Sequence, residues 1–283
     1  MNLLEETKMI MHKYGITANK RLGQNFLISE EVVSGIVENS SITKDDLVIE
    51  IGPGLGTLTS RLVECAKKVI CIELDNKMIE ILKERFKLYN NIEIINEDCL
   101  KVDIDALIKE AKKQGCKSAK VVANLPYYIT TPIIMKLLEE KLDIDSITVM
   151  IQKEVALRLA DVPGGKESGS ITYTVWYYTN PEILFDVPNY SFIPEPEVTS
   201  SVIKFNILPK PRIEVGDEEK FFKVIKASFM QKRKTLVNAL VNGNIISSKE
   251  EAEKIITSIG LDPKVRGEKL TLEDYKKLSE LVW

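Results

Sequence analysis

The sequence predicts an α/β protein: a mostly parallel β-sheet with helices on both faces, followed by a small all-helical domain. Two observations predict the sheet, namely five short runs rich in β-branched residues and the helical patterns that separate them. Strands that alternate with helices are typical of βαβ units, whose strands are parallel. The third observation is that three stretches after residue 217 repeat their apolar residues with the period of a helix.

Each predicted strand is a nearly continuous apolar run, which indicates that both faces of the sheet are covered. The runs are LVIEI (47–51), VICIE (69–73), IEII (92–95), AKVVA (119–123) and ITVMI (147–151). Helical patterns follow the first, second and fourth runs, and they are LTSRLVECA (58–66), NKMIEILKERFKLY (76–89) and PIIMKLLEEKL (132–142).

From about residue 170 the composition becomes rich in aromatic residues and threonine. SITYTVWYYTN (170–180), PEILFDV (181–187) and VTSSVIKFNIL (198–208) have no evident helix between them, so we expect antiparallel strands that complete the sheet. Two prolines and a glycine in ILPKPRIEVGD (207–217) predict a linker. We therefore divide the chain into a domain of residues 1–208, with an N-terminal arm of about 1–28, and a helical domain of residues 209–283.

Composition excludes several classes of protein. The 44% hydrophobic and 29% charged residues are ordinary for a globular protein, and the apolar runs are too short to span a membrane. The N-terminal residues lack the pattern of a signal peptide, so we expect a cytoplasmic protein. One histidine, His12, and four cysteines without a CxxC pair predict neither a metal site nor a Cys–His nucleophile.

Charge is unevenly distributed along the chain. The net charge of −3 does not indicate a nucleic-acid-binding protein, but two basic clusters do. They contain Lys20 and Arg21 near the start, and Lys232, Arg233 and Lys234 in the helical region. These side chains are candidates for contacts with phosphates, and the alternative is a solvated basic surface.

The segment EIGPGLGTLT (50–59) lies between a predicted strand and a predicted helix. Glycines such as Gly52 and Gly54 let a backbone approach a ligand closely, and the following helix presents free N–H groups. A dinucleotide-binding fingerprint would require glycine at the position of Thr57. The loop therefore predicts a nucleotide-type ligand without a required pyrophosphate.

Polar side chains lie at the ends of the next three predicted strands: Glu73 ends the second strand, Asp98 follows the third and Asn124 follows the fourth. Glu73 has the spacing from Gly52 of an acid that accepts both ribose hydroxyls of an adenosine. In open parallel sheets, ligands bind beyond the carboxyl ends of the strands. These residues predict S-adenosylmethionine as the ligand, with NAD as an alternative that Thr57 disfavours.

The segment NLPYYIT (124–130) is unfavourable for both strand and helix, because Pro126 restricts Leu125 and has no N–H of its own. Together with GPGLG (52–56) and ELD (73–75), it resembles class I methyltransferases that modify amino nitrogens. DNA adenine and protein glutamine methyltransferases share this short motif. The resemblance implies a Rossmann-like, mostly parallel seven-stranded sheet.

Longer motifs resemble the ribosomal RNA adenine dimethyltransferases, in collinear order over nearly the whole chain. They are KRLGQNFL (20–27), IQKEVALRLA (151–160), SITYTVWYY (170–178), FIPEPEVTSSV (192–202), ASFMQKRKTLVNAL (227–240) and RGEKL (266–270). The resemblance implies methyl transfer from S-adenosylmethionine to two adjacent adenosines in the 3′-terminal hairpin loop of 16S rRNA. The implied partner is a precursor of the small ribosomal subunit, and the protein is expected to be a monomer.

The resemblance also implies roles for individual residues. The cofactor site would comprise Asn25, Leu27, Gly52, Gly54, Glu73, Asp98 and Asn124. The catalytic residues would be Asn124, Leu125, Pro126 and Tyr127, and the target base would stack between Tyr127 and Phe192. The adenine amino nitrogen is a poor nucleophile, so we expect the Asn124 oxygen and the carbonyl of Leu125 or Pro126 to accept its hydrogens.

Two rival functions remain open. An erythromycin-resistance methyltransferase, which acts on large-subunit rRNA, shares the QNFL and N-x-P-Y elements. A non-catalytic assembly factor could use the same fold to bind rRNA. The SITYTVWYY and RGEKL motifs favour the small subunit, and the intact NLPY motif favours an enzyme.

Overall fold

The structure is a computed structural model that describes residues 2–18, 23–231 and 233–282. It consists of two compact units. The first runs up to Ala156 and continues over Glu182–Ile207, and the second comprises Leu157–Pro181 and the chain from Leu208 on. Residues 157–181, which the sequence analysis assigned to the first domain, therefore belong to the helical unit.

Helices and strands are numbered here in chain order. The helices are α1 (Leu3–Lys13), α2 (Glu30–Asn39), α3 (Thr59–Cys65), α4 (Asn76–Arg85), α5 (Ile104–Lys113), α6 (Thr130–Glu139), α7 (Lys153–Ala160), α8 (Ser170–Tyr178), α9 (Glu218–Phe229), α10 (Leu236–Asn242), α11 (Lys249–Ser258) and α12 (Leu272–Leu281). The strands are β1 (Phe26–Leu27), β2 (Asp46–Ile51), β3 (Lys68–Glu73), β4 (Ile92–Asn96), β5 (Ser118–Asn124), β6 (Ser146–Gln152), β7 (Thr179–Val187), β8 (Phe192–Ile193) and β9 (Ser200–Ile207). Two short 3-10 helices span Asn189–Ser191 and Gly267–Lys269.

Seven strands form one sheet in the order β4–β3–β2–β5–β6–β9–β7. The ladders among β2 to β6 are parallel, and β9 is antiparallel to β6. The predicted mostly parallel sheet and its five predicted strands are thereby confirmed. Because β2 lies between β3 and β5, the strand order reverses there, and such a switch point is where open α/β sheets bind ligands.

The core of the first unit fixes the strand ends in place. Leu47, Val48 and Ile49 of β2 are fully buried, and helices α2 and α3 pack on this part of the sheet. Full burial of each such side chain stabilises the fold by about 1.5–3 kcal/mol. The buried strand therefore fixes the position at which the loop after β2 begins.

The N-terminal arm packs beside the glycine-rich loop. Strand β1 pairs antiparallel with β8, with Leu27 opposite Phe192. Glu6 of α1 forms an ion pair of 2.5 Å with Arg85 of α4, and the Arg85 guanidinium also donates to the carbonyl of Leu55. These contacts join α1, α4 and the loop after β2.

The segment SITYTVWYY forms helix α8, so the predicted strand is wrong. Tyr173 and Tyr177 lie four residues apart on one face of α8, where both are buried against the helical unit. The Tyr173 hydroxyl donates to the Leu270 carbonyl at 2.6 Å, and its ring lies edge-on to Tyr275 with centroids 5.0 Å apart. Packing overrides the strand preference of aromatic and β-branched residues here.

The predicted helical C-terminal region is present as α9 to α12. Its core contains Phe221, Leu240, Ile256 and Leu278, which are all at most 1% exposed. Within the described ranges, no helix is long and apolar enough to cross a membrane.

Candidate active site

A cleft of about 1110 Å³, including its open mouth, lies at the carboxyl ends of β2, β3 and β5. We call it the sheet-end cavity. It is lined by residues 23–27, 50–55, 57–58, 72–74, 97–99, 124–129 and 133. It therefore brings together the predicted cofactor and catalytic residues Asn25, Leu27, Gly52, Gly54, Glu73, Asp98, Asn124, Leu125, Pro126 and Tyr127.

The glycine-rich loop holds a conformation that requires glycine at two positions in particular. Gly54 has φ +57°, and its N–H donates to Glu73 Oε2 at 3.1 Å. Gly56 has φ +82°, and a Cβ there would lie 2.6 Å from the Phe86 ring. Side chains at these positions would strain the backbone or push α4 away. Gly54 is one of the predicted site residues, whereas Gly56 had no predicted role.

Glu73 is fixed in the wall of the sheet-end cavity. Its two oxygens accept hydrogen bonds from the N–H groups of Gly54, at 3.1 Å, and Asp75, at 2.9 Å. The residue is 8% exposed, and burial raises the pKa of its carboxyl group, although the backbone hydrogen bonds oppose this shift. Each carboxylate oxygen has a further lone pair, so the group can still accept from a ligand hydroxyl.

Glu50, which had no predicted role, is a second buried carboxyl group in the cavity wall. It accepts a hydrogen bond of 2.6 Å from the Thr59 hydroxyl and lies 3.6 Å from Cys71 Sγ. Burial raises the pKa of Glu50 to about 7. The signal in the sequence is an acid inside an otherwise apolar strand, which is unusual for a central strand.

Asn124 ends β5 and points its amide toward the arm. Its Nδ2 donates to the Asn25 carbonyl at 3.4 Å, which leaves Oδ1 as the acceptor on the other side of the amide group. No group of the described chain donates to Oδ1. The Pro126 carbonyl, by contrast, already accepts from the Ile129 N–H at 3.2 Å and the Thr130 hydroxyl at 3.1 Å.

Leu125 supplies the second free acceptor. Its N–H donates to the Met150 carbonyl at 3.1 Å, and its side chain is 1% exposed. Nothing in residues 2–18, 23–231 and 233–282 donates to its own carbonyl oxygen. Of the two carbonyls left open by the sequence analysis, that of Leu125 is therefore the one available to a ligand.

Two tyrosines line the mouth of the sheet-end cavity. Tyr127 is half-buried, and its hydroxyl forms a hydrogen bond of 2.7 Å with the Ser200 hydroxyl. Burial raises the pKa of Tyr127, so the phenol stays protonated at neutral pH. Tyr128 is 56% exposed and packs over Gly23 of the arm.

Phe192 is buried in the structure, and its predicted stacking on the target base stays a prediction. Its ring is 2% exposed and packs in the hydrophobic core with Leu27 and neighbouring side chains, and it does not line the sheet-end cavity. Turning it out would expose an apolar side chain whose burial is worth about 1.5–3 kcal/mol. The aromatic rings that do line the cavity belong to Phe26, Tyr127 and Tyr128.

Both named residues of the first basic cluster, Lys20 and Arg21, lie outside the described residues, and so does Lys232 of the second. Arg233 and Lys234 are exposed in the turn between α9 and α10. The turn separates the two helices, so these residues do not continue a helix. Their contact with RNA stays a prediction.

The sheet and the cavity fit a nucleoside ligand with a short chain. Glu73, a buried acid at the end of β3, can accept further hydrogen bonds, and the glycines after β2 leave room beside it. The cleft opens at the switch point of the sheet. This combination of fold and site defines a class I S-adenosylmethionine-dependent methyltransferase.

The chain belongs to the ribosomal RNA adenine dimethylase family, whose profile matches residues 15–282. The predicted fold class, family and cofactor are thereby confirmed. Two relatives named ribosomal RNA small subunit methyltransferase A are 48% and 50% identical to it over 277 residues, and they come from Alkaliphilus metalliredigens and Clostridium botulinum (strain Langeland). Each alignment covers 98% of this chain, together with 96% and 98% of the respective relative.

Solved structures agree with this assignment. A dimethyladenosine transferase from Plasmodium falciparum is 25% identical, with a TM-score of 0.72, and the match covers 89% of this chain and 95% of that one. The 23S rRNA methyltransferase ErmE has a TM-score of 0.67 at 23% identity, covering 91% of this chain and 99% of its own, and supports the fold alone.

Proposed function

We propose that this protein transfers methyl groups from S-adenosylmethionine to the exocyclic amino nitrogens of two adjacent adenosines in the 3′-terminal hairpin loop of 16S rRNA. The product is N6,N6-dimethyladenosine, formed on a precursor of the small ribosomal subunit. The family assignment and the names of the two bacterial relatives support this substrate. The protein is proposed to act in the cytoplasm as a monomer.

The observation that carries the proposal is the pair of free acceptors at the end of β5. The oxygens are Asn124 Oδ1 and the Leu125 carbonyl, and both residues line the sheet-end cavity. An adenine amino group has two hydrogens, so it can donate one to each of two acceptors. The lone pair of that nitrogen is delocalised into the ring, and two hydrogen bonds favour a more tetrahedral nitrogen whose lone pair points out of the ring plane.

The cofactor site is proposed to consist of the residues around the glycine-rich loop and the next two strand ends. Glu73 would accept the ribose hydroxyls, with Gly52, Gly54, Asp98, Asn25 and Leu27 around the rest of the molecule. When bound, the cofactor supplies a methyl group already activated by a sulfonium. The protein therefore needs to orient the amine rather than supply a strong base.

Positioning of the two reactants is expected to lower the reaction barrier more than general-base catalysis does. Holding two reactants in the reactive geometry can account for about 7–11 kcal/mol of the barrier. General-base catalysis contributes roughly 10²–10⁴-fold, or about 3–5 kcal/mol. His12, the only histidine of the chain, lies on α1 and does not line the cavity.

Tyr127 is proposed to offer a flat face to the extruded base. Stacking on an aromatic side chain is worth roughly 1–3 kcal/mol per base. Bases in a loop cost little to splay out, which makes them the usual targets of sequence-specific RNA recognition. The first unit is proposed to perform catalysis, and the second, with Arg233 and Lys234, to contact rRNA phosphates.

Incorporation of labelled methyl groups into purified ribosomal subunits tests the proposal. We expect incorporation into under-methylated small subunits, at two neighbouring adenosines, and none into large subunits. Incorporation into large subunits alone would assign the erythromycin-resistance type of substrate. Tight binding to small subunits without any incorporation would instead favour the assembly factor.

A further inference from the structure

We propose that Ser200 is a positioning residue for the target base, because it fixes the ring of Tyr127 from a strand that is not adjacent to the Tyr127 turn. This inference rests on the proposed function, in which Tyr127 stacks on the base. Ser200 does not line the sheet-end cavity, so it acts through Tyr127 alone.

The two hydroxyl groups lie 2.7 Å apart, although the residues are 73 positions apart in sequence. Tyr127 follows β5, and Ser200 is the first residue of β9. In the sheet, β6 lies between these two strands. The Tyr127 side chain therefore reaches across the carboxyl end of β6 and joins the NLPYY turn (residues 124–128) to strand β9, on the other side of β6.

Ser200 is a rigid anchor. It is fully buried, and it lies opposite Gln152 in the ladder between β6 and β9. The preceding residue is also held, because the Lys153 N–H donates to the Thr199 carbonyl at 3.0 Å. Only rotation about the Cα–Cβ bond changes the position of a serine hydroxyl oxygen on a fixed backbone, so Ser200 holds the Tyr127 hydroxyl at a defined position.

The hydrogen bond from Ser200 restricts rotation of the Tyr127 ring, whose orientation determines how it stacks on a base. The ring of Tyr127 is held at Cβ by the backbone and at the opposite end by the hydroxyl. Without the hydrogen bond, the ring could swing about its side-chain torsions within the half-buried site. Stacking requires the ring plane to match the plane of the base, so a swinging ring would hold the amine less accurately against Asn124 and Leu125.

The inference explains a link between two sequence motifs. Tyr127 belongs to NLPYY, and Ser200 lies in FIPEPEVTSSV, eight residues after Phe192. Because Phe192 is buried in the core, the part of this second motif that reaches the tyrosine is Ser200. A serine there serves the target base rather than the cofactor.

The test measures single-turnover methyl transfer to under-methylated small subunits for Ser200→Ala, Tyr127→Phe and the double variant. Loss of one hydrogen bond corresponds to roughly threefold to tenfold in rate, which is the slowing we expect of each single variant. The double variant is expected to be no slower than the slower single variant, because both changes remove the same bond. Affinity for S-adenosylhomocysteine, measured by titration calorimetry, is expected to stay within about twofold of wild type.

Ser201→Ala is the matched control. Ser201 is also fully buried, and its hydroxyl donates to Asp186 at 2.7 Å on the other face of β9. This variant loses a part-buried hydrogen bond of the same length, here to a carboxylate, and is expected to lose at least as much thermal stability while its transfer rate stays near wild type. Equal rates for Ser200→Ala and Ser201→Ala, or rate losses that multiply in the double variant, would overturn the inference.

Tyr127→Ala separates this inference from the proposed function. If Tyr127→Ala is strongly impaired while Ser200→Ala and Tyr127→Phe are normal, stacking stands and the positioning role of Ser200 is wrong. If the wild-type protein methylates small subunits and Tyr127→Ala does so equally well, the stacking proposal itself is wrong, and the role of Ser200 with it.

Discussion

Replacing Glu73 by glutamine is expected to weaken cofactor binding by about tenfold to a hundredfold. The carboxylate accepts the N–H groups of Gly54 and Asp75 on separate oxygens. Glutamine has one oxygen, so one of these N–H groups would face an NH₂ group instead of an acceptor. The ligand would also lose a hydrogen bond to a charged group, which is worth about 1.5–3 kcal/mol, or roughly a factor of 10 to 100 in affinity.

Titration calorimetry with S-adenosylhomocysteine measures this effect directly. Glu93→Gln is the matched control, because Glu93 lies on the neighbouring strand β4, pairs with Lys68 at 2.8 Å and is absent from the lining of the sheet-end cavity. The same chemical change there is expected to leave affinity within about twofold of wild type. A Glu73→Gln protein that folds normally and binds as tightly as wild type would refute the assignment of Glu73 to the ligand.

Three further outcomes follow from the structure. Asn124→Ala is expected to slow methyl transfer by roughly a hundredfold, because the loss of one preorganised hydrogen-bonding group has an effect of this size. Calorimetry is expected to show only a moderate loss of cofactor affinity. Near-normal transfer would exclude Asn124 as an acceptor. Burial raises the pKa of Glu50 from 4.5 to about 7 in the native state. Above pH 4.5 the unfolded chain loses this proton more easily than the native state, so the native state loses stability as the pH rises from 4.5 to about 7. Denaturant unfolding is therefore expected to show Glu50→Gln gaining stability over wild type between pH 5 and pH 8, by at most about 3 kcal/mol, and a pH-independent difference would contradict this. Affinity for small subunits is expected to fall steeply as the salt concentration rises. Replacing Arg233 and Lys234 by glutamine is expected to reduce the slope of the logarithm of affinity against the logarithm of salt concentration by about 0.7–0.9 per lost phosphate contact. An unchanged slope would mean that these side chains do not contact phosphates.

The strands of the sheet could be predicted because their signal is local. LVIEI and ITVMI are short, apolar and β-branched, and both of their faces are buried in β2 and β6 as that pattern predicts. The helix α8 could not be predicted in the same way. Its residues have strand-like composition, and only the packing of Tyr173 and Tyr177 against the helical unit makes the helix the better solution.

The cavity residues were predictable for a related reason. Glu73, Asp98 and Asn124 each follow a strand, and a parallel sheet brings such positions to one edge. The expectation for Phe192 came from the family resemblance and not from a strand end, and its ring is buried in this structure. Phe192 lies opposite Leu27 in the small β1–β8 sheet, and both side chains belong to the hydrophobic core.

By itself, the sequence predicted the parallel sheet, the order of its strands along the chain and the acids and glycines that line the sheet-end cavity, and its longer motifs resembled the family to which the protein belongs. These depend on residue type, period and spacing, which are properties of a few neighbouring residues. The tertiary structure alone decided which carbonyl of the NLPYY turn is free, that Glu50 is a buried carboxyl group, and that Ser200 holds Tyr127. A hydrogen bond or a buried charge depends on groups brought together from distant parts of the chain, and no local pattern records which of them meet.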